Sequence, residues 1–468
     1  MEWLFRVQRI IPFAAFVALS LTQPANPQLS NRAWLAQPID VPAEVREQYQ
    51  GVAAKRSLLI PLPPLVDSEM DPTDQSLQQT YSLEKVFSIA ANKVGLSSQD
   101  ALNQMLVRAA APSPRNLPPF GAVDFRNVPL FSSFQLLAIV NRLDFAQKVG
   151  SKWKNQELRF VYGMKPSGQA RFTLIVEFKL PPMDWPAFRK EAEDWKSLKS
   201  APASSFPVAL RTLIDNSLFQ QGPLTRIRTN CMVGGGQWRF SQWEFHQGKL
   251  VQTDLSFQMA GPYADDGGGG RSEEVRNRIR RFQTFFETEN GKPIGSVDLA
   301  KLGAMSTQTR QYSADDKALN PPAEVTYSTK LAELRNQIGT QQCNGCHSAE
   351  TGTNLQHISD NVHSHVSGFL APDPTNWDSP LETLSTKVVN VGYCVRESSE
   401  STSLGVMEPI ACPDRDRIKQ VQITEQRKFN DLARRKLFMA SILALPKDQE
   451  PSLEDIQQIM NYAPNFVH

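Results

Sequence analysis

Glu157-Leu158-Arg159-Phe160-Val161-Tyr162 and Arg171-Phe172-Thr173-Leu174-Ile175-Val176-Glu177-Phe178-Lys179-Leu180 decide the fold of this chain. Both runs are rich in β-branched and aromatic residues, and Lys165-Pro166-Ser167-Gly168 between them is turn chemistry. Such a pattern predicts an antiparallel hairpin. Leu224 to Met232, Trp238 to Phe245 and Leu250 to Phe257 read the same way, with His246-Gln247-Gly248 as a second turn. Two hairpins with Trp and Phe on one face predict an antiparallel sheet with a buried side. Trp185 to Trp195 and Ser205 to Leu218 lie between the hairpins and carry helical spacing. Residues 119–262 are therefore expected to form an antiparallel β-rich α+β domain.

On the N-terminal side, residues 40–118 alternate helical and Pro-rich pieces. Tyr81 to Lys93 has helical spacing at Leu83, Val86, Phe87 and Ala90, and so has Ser98 to Val107. Ala110 to Pro119 is a Pro-rich break. On the C-terminal side, Asp265-Asp266 and Gly267 to Gly270 read as a flexible joint within a segment, 263–324, of linker and helices. A phosphate-loop reading of the four glycines lacks the following Lys-Ser/Thr. Glu273 to Glu289 reads as a basic helix with a solvated face. In 325–468, Leu331, Leu334 and Ile338 share one helical face. Phe429, Leu432, Phe438, Ile442 and Leu445 fit a helix ended by Pro446, and Ser452 to Asp455 matches a capping box.

The chain has 468 residues, of which 40% are hydrophobic and 21% charged. That length suits two or three domains. Lys plus Arg number 50 against 48 Asp plus Glu, a balance that argues against nucleic-acid binding. No internal repeat marks a solenoid or propeller. Arg6 and Arg9 precede the apolar run Ile10 to Leu21, which is shorter than the about 20 residues of a membrane span. A polar stretch follows, so residues 1–25 read as a signal peptide, with an uncleaved N-terminal anchor as the alternative. The mature chain is expected to be periplasmic or secreted, without a transmembrane helix. That compartment permits disulfides, and Cys394 with Cys412 is the candidate pair, leaving Cys231 over.

Cys343-Asn344-Gly345-Cys346-His347 carries the chemistry. Two thiols three residues apart, followed at once by an imidazole, form the attachment pattern for one covalent haem c. Cys343 and Cys346 can form thioethers with the haem vinyl groups, and His347 can serve as proximal iron ligand. The sequence also admits a structural zinc site, because His357, His363 and His365 follow closely and two Cys with two His suit tetrahedral zinc. A CxxC disulfide or reactive dithiol is the third reading. His357, His363 or His365 could also be the sixth iron ligand. As ordinary loop residues they would only hydrogen-bond.

Helix, CxxCH, long loop, Met407 and C-terminal helix together resemble a small single-haem cytochrome c domain over about 325–468. The resemblance implies a mainly α domain, with His347 proximal and Met407 distal. Ser348 to Leu355 stands where those cytochromes commonly carry Gly-Pro-x-Leu. Three stretches, Ile139 to Asp144, Ile227 to Asn230 and Cys343 to Thr351, resemble a group of large exported bacterial proteins without an assigned activity. Across the whole chain the expectation is α+β, with a mixed helical and antiparallel β N-terminal region before the cytochrome c-like domain. The expected function is one-electron transfer with a redox partner protein or a small-molecule donor or acceptor. An exported binding or structural protein with a Cys/His zinc or disulfide staple, and a haem enzyme with an open sixth position, are the alternatives. No catalytic triad or paired-carboxylate motif is legible outside this region.

Overall fold

The computed structural model describes residues 41–62, 72–92, 131–164, 172–216, 224–233, 237–246, 249–253, 312–313, 351, 353, 356–359, 366–373, 377–383, 385–396, 408–409, 420–452, 454–456 and 459. The protein is α+β, built on an eight-stranded antiparallel sheet. Its strands are β1 (Leu59–Pro61), β2 (Phe134–Arg142), β5 (Glu157–Met164), β6 (Phe172–Lys179), β7 (Leu224–Val233), β8 (Gln237–His246), β9 (Lys249–Thr253) and β10 (Tyr312–Ser313). They lie in the order β1-β2-β5-β6-β7-β8-β10, and β9 also pairs with β8. A small hairpin, β3 (Gln147–Val149) and β4 (Lys152–Lys154), hangs beside it. Its two-residue turn needs a positive φ at Gly150, 62°.

The two expected hairpins are present. β5 pairs with β6 and β8 with β9, and β7 also pairs with β8, all antiparallel. Register puts Leu158 opposite Phe178, Phe160 opposite Val176, Val176 opposite Ile227, and Ile227 opposite Trp243. All of these are buried, so they form one apolar face. Helices α3 (Pro72–Thr80) and α4 (Leu83–Asn92) supply Leu77, Val86 and Phe87 to the same core. Tyr81 between them packs on Phe160 at 5.3 Å, and the Tyr162 hydroxyl donates to the Tyr81 carbonyl at 2.9 Å.

Helix α5 (Trp185–Ser197) and α6 (Phe206–Ile214) also lie where the spacing predicts. Asp184 caps α5 by accepting the Ala187 N–H at 3.1 Å. Trp153 of β4 stacks on Phe188 of α5 with ring centres 4.5 Å apart.

Helix α7 (Asp431–Ala444) is the C-terminal helix expected before Pro446, and Asn430 caps it through the Ala433 N–H at 3.0 Å. Phe429 closes a strand rather than opening the helix. The far end of α7 leaves carbonyls without intrahelical partners. Arg189 of α5 fills that role, donating to the Ile442, Leu443 and Leu445 carbonyls. The helix also packs against α1 (Ala43–Gly51) and the short α2 (Ala54–Ser57) near the other end of the chain. Residues 41–62 and 431–444 thus share one apolar core with the sheet. The Ser452 capping box closes in both directions: the Ser452 N–H donates to Asp455 at 2.8 Å and the Asp455 N–H to the Ser452 hydroxyl at 3.1 Å.

The expectation of a mainly α segment over 325–468 needs correction for its described residues. They include a three-stranded sheet in the order β12 (Glu408–Pro409), β11 (Lys387–Arg396) and β13 (Gln420–Phe429). β11 and β13 pair along all ten residues, from Lys387–Phe429 to Arg396–Gln420. The cause is local: Val388, Val389, Val391 and Val395 are β-branched, and Gly392 disfavours helix. No helix among the described residues is long and apolar enough to cross a membrane. Residues 1–25, Ser98 to Val107, Gly267 to Gly270, Glu273 to Glu289 and Leu331 to Ile338 lie outside the described residues.

Candidate functional site

Cys343, Cys346, His347, Met407, His363, His365 and Cys412 lie outside the described residues. Of the flank that follows the motif, residues 351, 353 and 356–359 are described. Thr351, Thr353, Gln356 and His357 are all buried. The Thr351 and Thr353 hydroxyls bond each other at 2.8 Å, and Gln356 Nε2 donates to Thr173 Oγ1 of β6 at 2.9 Å. His357 Nδ1 bonds Ser367 Oγ at 2.9 Å, and its ring lies 4.9 Å from that of Phe369. Phe369 packs on Phe429 at 5.3 Å, and its carbonyl accepts the Asp431 N–H at 2.9 Å. Post-motif residues therefore join β6 to the start of α7.

Thr173 and Glu177 alternate with the apolar residues of β6, so they point to the other face of the sheet. That face carries charge in rows. Arg142 of β2 stands opposite Glu157 of β5, Arg159 opposite Glu177, and Glu177 opposite Arg226 of β7. Arg159 bridges Glu157 at 2.7 Å and Glu177 at 3.2 Å. Arg226 lies 3.3 Å and Arg228 3.6 Å from Glu177. Burial alone would raise the Glu157 carboxyl. Arg159, Arg226 and Arg228 override it and bring it down to about 2.

A second charge network joins this face to α7. Arg142 makes a two-pronged bond to Asp144, at 2.9 and 3.0 Å. Arg434 reaches the same carboxylate at 2.5 Å and Asp431 at 2.7 Å, and Arg435 reaches Asp431 at 2.6 Å. Arg142 and Arg434 are both 0% exposed. Burial would raise Asp144, but Arg142, Arg434 and Arg435 hold it far below the usual carboxylate range. Asp431 is lowered in the same way by Arg434 and Arg435 against its burial. Phe145 connects the two networks, with the Arg142 guanidinium 3.6 Å and that of Arg159 5.1 Å from its ring centre. Asn141 completes the turn: it donates to the Ser57 carbonyl at 3.0 Å and accepts the Leu143 N–H at 3.0 Å.

No protein-family model, no curated protein and no solved structure matches this chain.

Two of the three familiar stretches, Ile139 to Asp144 and Ile227 to Asn230, lie in these networks, and the third runs into the buried flank. The networks themselves were not read from sequence. Their available signal was charge at alternate positions in otherwise apolar strands: Arg142-Leu143-Asp144, Glu157-Leu158-Arg159 and Arg226-Ile227-Arg228. Among the described residues, no group of three His, Cys, Asp and Glu could hold a metal ion. Cys231 stands in register with Phe172 and Arg239, and Cys394 with Glu408 and Gln422.

One buried cation lies between an aromatic ring and a carboxylate. Lys436 of α7 places Nζ 4.3 Å from the Tyr49 ring centre and 3.6 Å from Asp378, which also accepts the Ala54 N–H at 2.6 Å. Burial pushes the Lys436 ammonium down to about 8, with Asp378 opposing and Lys199 adding to the fall. Above that pH the folded chain releases a proton that the unfolded chain holds until its ordinary value, so stability rises with pH over that window. Lys436→Met is expected to add about 1 kcal/mol at pH 7 and to flatten the rise, read by urea unfolding at pH 7 and 9.5. Destabilisation at pH 7 would show that Asp378 and Tyr49 outweigh the burial.

Proposed function

We propose that this chain is an exported c-type haem protein that transfers one electron at a time. Cys343-Asn344-Gly345-Cys346-His347 carries the reading. The donor set fits the group: Cys343 and Cys346 would hold it through thioethers, and the His347 imidazole would bind iron. Met407 is the proposed second axial residue. Haem, when bound, supplies the one-electron couple. The protein's own part is to bind it, orient His347, exclude water and set the potential through burial and hydrogen bonding. Buried Thr351, Thr353, Gln356 and His357 support this, because they anchor the chain soon after the motif. Arg6, Arg9 and the Ile10 to Leu21 run support export to the compartment where haem c is attached. The partner is a redox protein or a small-molecule donor or acceptor.

Expression with a haem c maturation system tests the reading. A haem-sized mass increase that survives denaturation and a sharp reduced α-band are expected. Cys343→Ser with Cys346→Ser should abolish the covalent mass increase. Wild-type protein with stoichiometric zinc and no iron would replace this reading with an exported binding protein stapled by Cys and His. Met407→Ala should change the spectrum if Met407 binds iron.

A further inference from the structure

Four lysines from three distant parts of the chain converge on the turn between α1 and α2. Lys199 donates to the Gln50 carbonyl at 2.5 Å, and Lys196 donates to Gln48 Oε1 at 2.6 Å. Lys196 also lies across Gly51, where a Cβ would stand 2.7 Å from its Cε. Lys436 enters from α7 over the Tyr49 ring, and Lys55 of α2 lies 5.3 Å from the Trp377 ring centre. Among the described residues, one carboxylate, Asp378, is within ion-pair distance of any of these ammonium groups, at 3.6 Å from Lys436.

Part of this charge has a structural use. The last carbonyls of α1 lack intrahelical partners and carry partial negative charge, so Lys199 caps them. Capping does not explain Lys55 or Lys436, whose contacts are rings and Asp378 rather than helix carbonyls. An ammonium has three N–H donors. Lys196 and Lys199 each use one on a neutral oxygen and keep two, and Lys55 is exposed. Trp377 adds a further donor. It is 6% exposed, and its Nε1 meets no acceptor among the described residues. Leaving a buried N–H unpaired is costly, and an oxyanion at this place can supply the acceptor. Asp378 shows what the place takes: its Oδ1 accepts the Ala54 N–H at 2.6 Å and faces the Lys436 ammonium.

We propose that this cluster binds a small soluble oxyanion of the phosphate class, held by Lys436, Lys199, Lys196 and Lys55 beside the Trp377 indole. A phosphate brings up to two charges and several acceptor oxygens to donors that Asp378 leaves unused. Lys436 is 1% exposed and Asp378 47%, so a compact anion reaches the buried ammonium past a partly solvated carboxylate. The site is independent of the haem reading, and its test needs no haem.

Inorganic phosphate titrated into the purified full chain at pH 7 and constant ionic strength, followed by calorimetry, tests the proposal. Saturable binding of one phosphate per chain is expected. Lys436→Met and Lys199→Met should each weaken it about tenfold or more, the scale of one charge-assisted hydrogen bond. Asp378→Asn keeps an acceptor for the Ala54 N–H and removes the competing charge, so it should tighten binding about threefold. A cluster that merely caps α1 would not respond in that direction. Far-UV circular dichroism checks that each variant is folded. Lys199 is on the surface, so its variant reports even if Lys436→Met fails to fold. Wild type without saturable phosphate binding, or wild-type affinity in the folded lysine variants, overturns the site. Equal binding of chloride, or binding to phosphatidylglycerol vesicles without binding of free phosphate, overturns it as well.

Discussion

Asp144→Asn is expected to lower the stability of the folded chain by about 3–5 kcal/mol, the usual loss when one member of a buried ion group is removed. Asp144 accepts from Arg142 and Arg434 at once, and both guanidiniums are fully buried. Neutralising the carboxylate leaves two like charges facing each other without water. Arg435 adds to the repulsion, since it too lowers Asp144 by its field. Asparagine keeps the shape, so the loss reports charge rather than a cavity. Trp153, Trp185 and Trp195 are buried, and their fluorescence follows unfolding in urea. A double-mutant cycle with Arg434→Met should give a coupling of about 1.5 kcal/mol or more, because these residues share one network. A loss below about 1 kcal/mol would mean that the network is solvated in solution.

Acid should unfold the protein before it unfolds a chain with ordinary carboxylates. Glu157 is lowered from 4.5 to about 2, and Asp144 and Asp431 are lowered as well. Each of these groups gives up its proton more readily when folded than when unfolded. Their stabilisation is therefore complete above about pH 4.5 and is lost as pH falls through the folded values. Glu157 alone accounts for on the order of 3 kcal/mol. A melting temperature recorded from pH 6 to pH 2 should hold its value down to about pH 5 and then fall steeply. Glu157→Gln should start lower and fall less. A flat profile below pH 4 would contradict the buried pairing on the polar face.

The hairpins were legible because aromatic and β-branched residues cluster in short runs bounded by turn residues, as at Phe160, Val176 and Lys165-Pro166-Ser167-Gly168. α5, α6 and α7 were legible from helical spacing, and the Ser452 box from its cap chemistry. β11 and β13 are not, although Val388, Val389 and Val391 carry the signal, because the resemblance to a small helical domain implies no strand there. Arg434-Arg435-Lys436 was opaque for another reason. Three successive basic residues ordinarily face water, and here the partners Asp144, Asp431 and Asp378 make their burial tolerable. Those partners are spread over the chain, so no window of sequence contains the argument. At the motif itself, sequence carries the donor set, whereas the burial of Gln356 against Thr173 is a tertiary fact.

Asp144 and Arg434 are 290 residues apart. Synthesis proceeds at about 5–20 residues per second, so roughly 15–60 s separate the appearance of the carboxylate from that of the guanidinium that neutralises it. During that interval Arg142 and Asp144 have no α7 over them, and the β2 end of the sheet stays unfinished. Completion of the β2 end of the sheet is thus a late event that waits for α7.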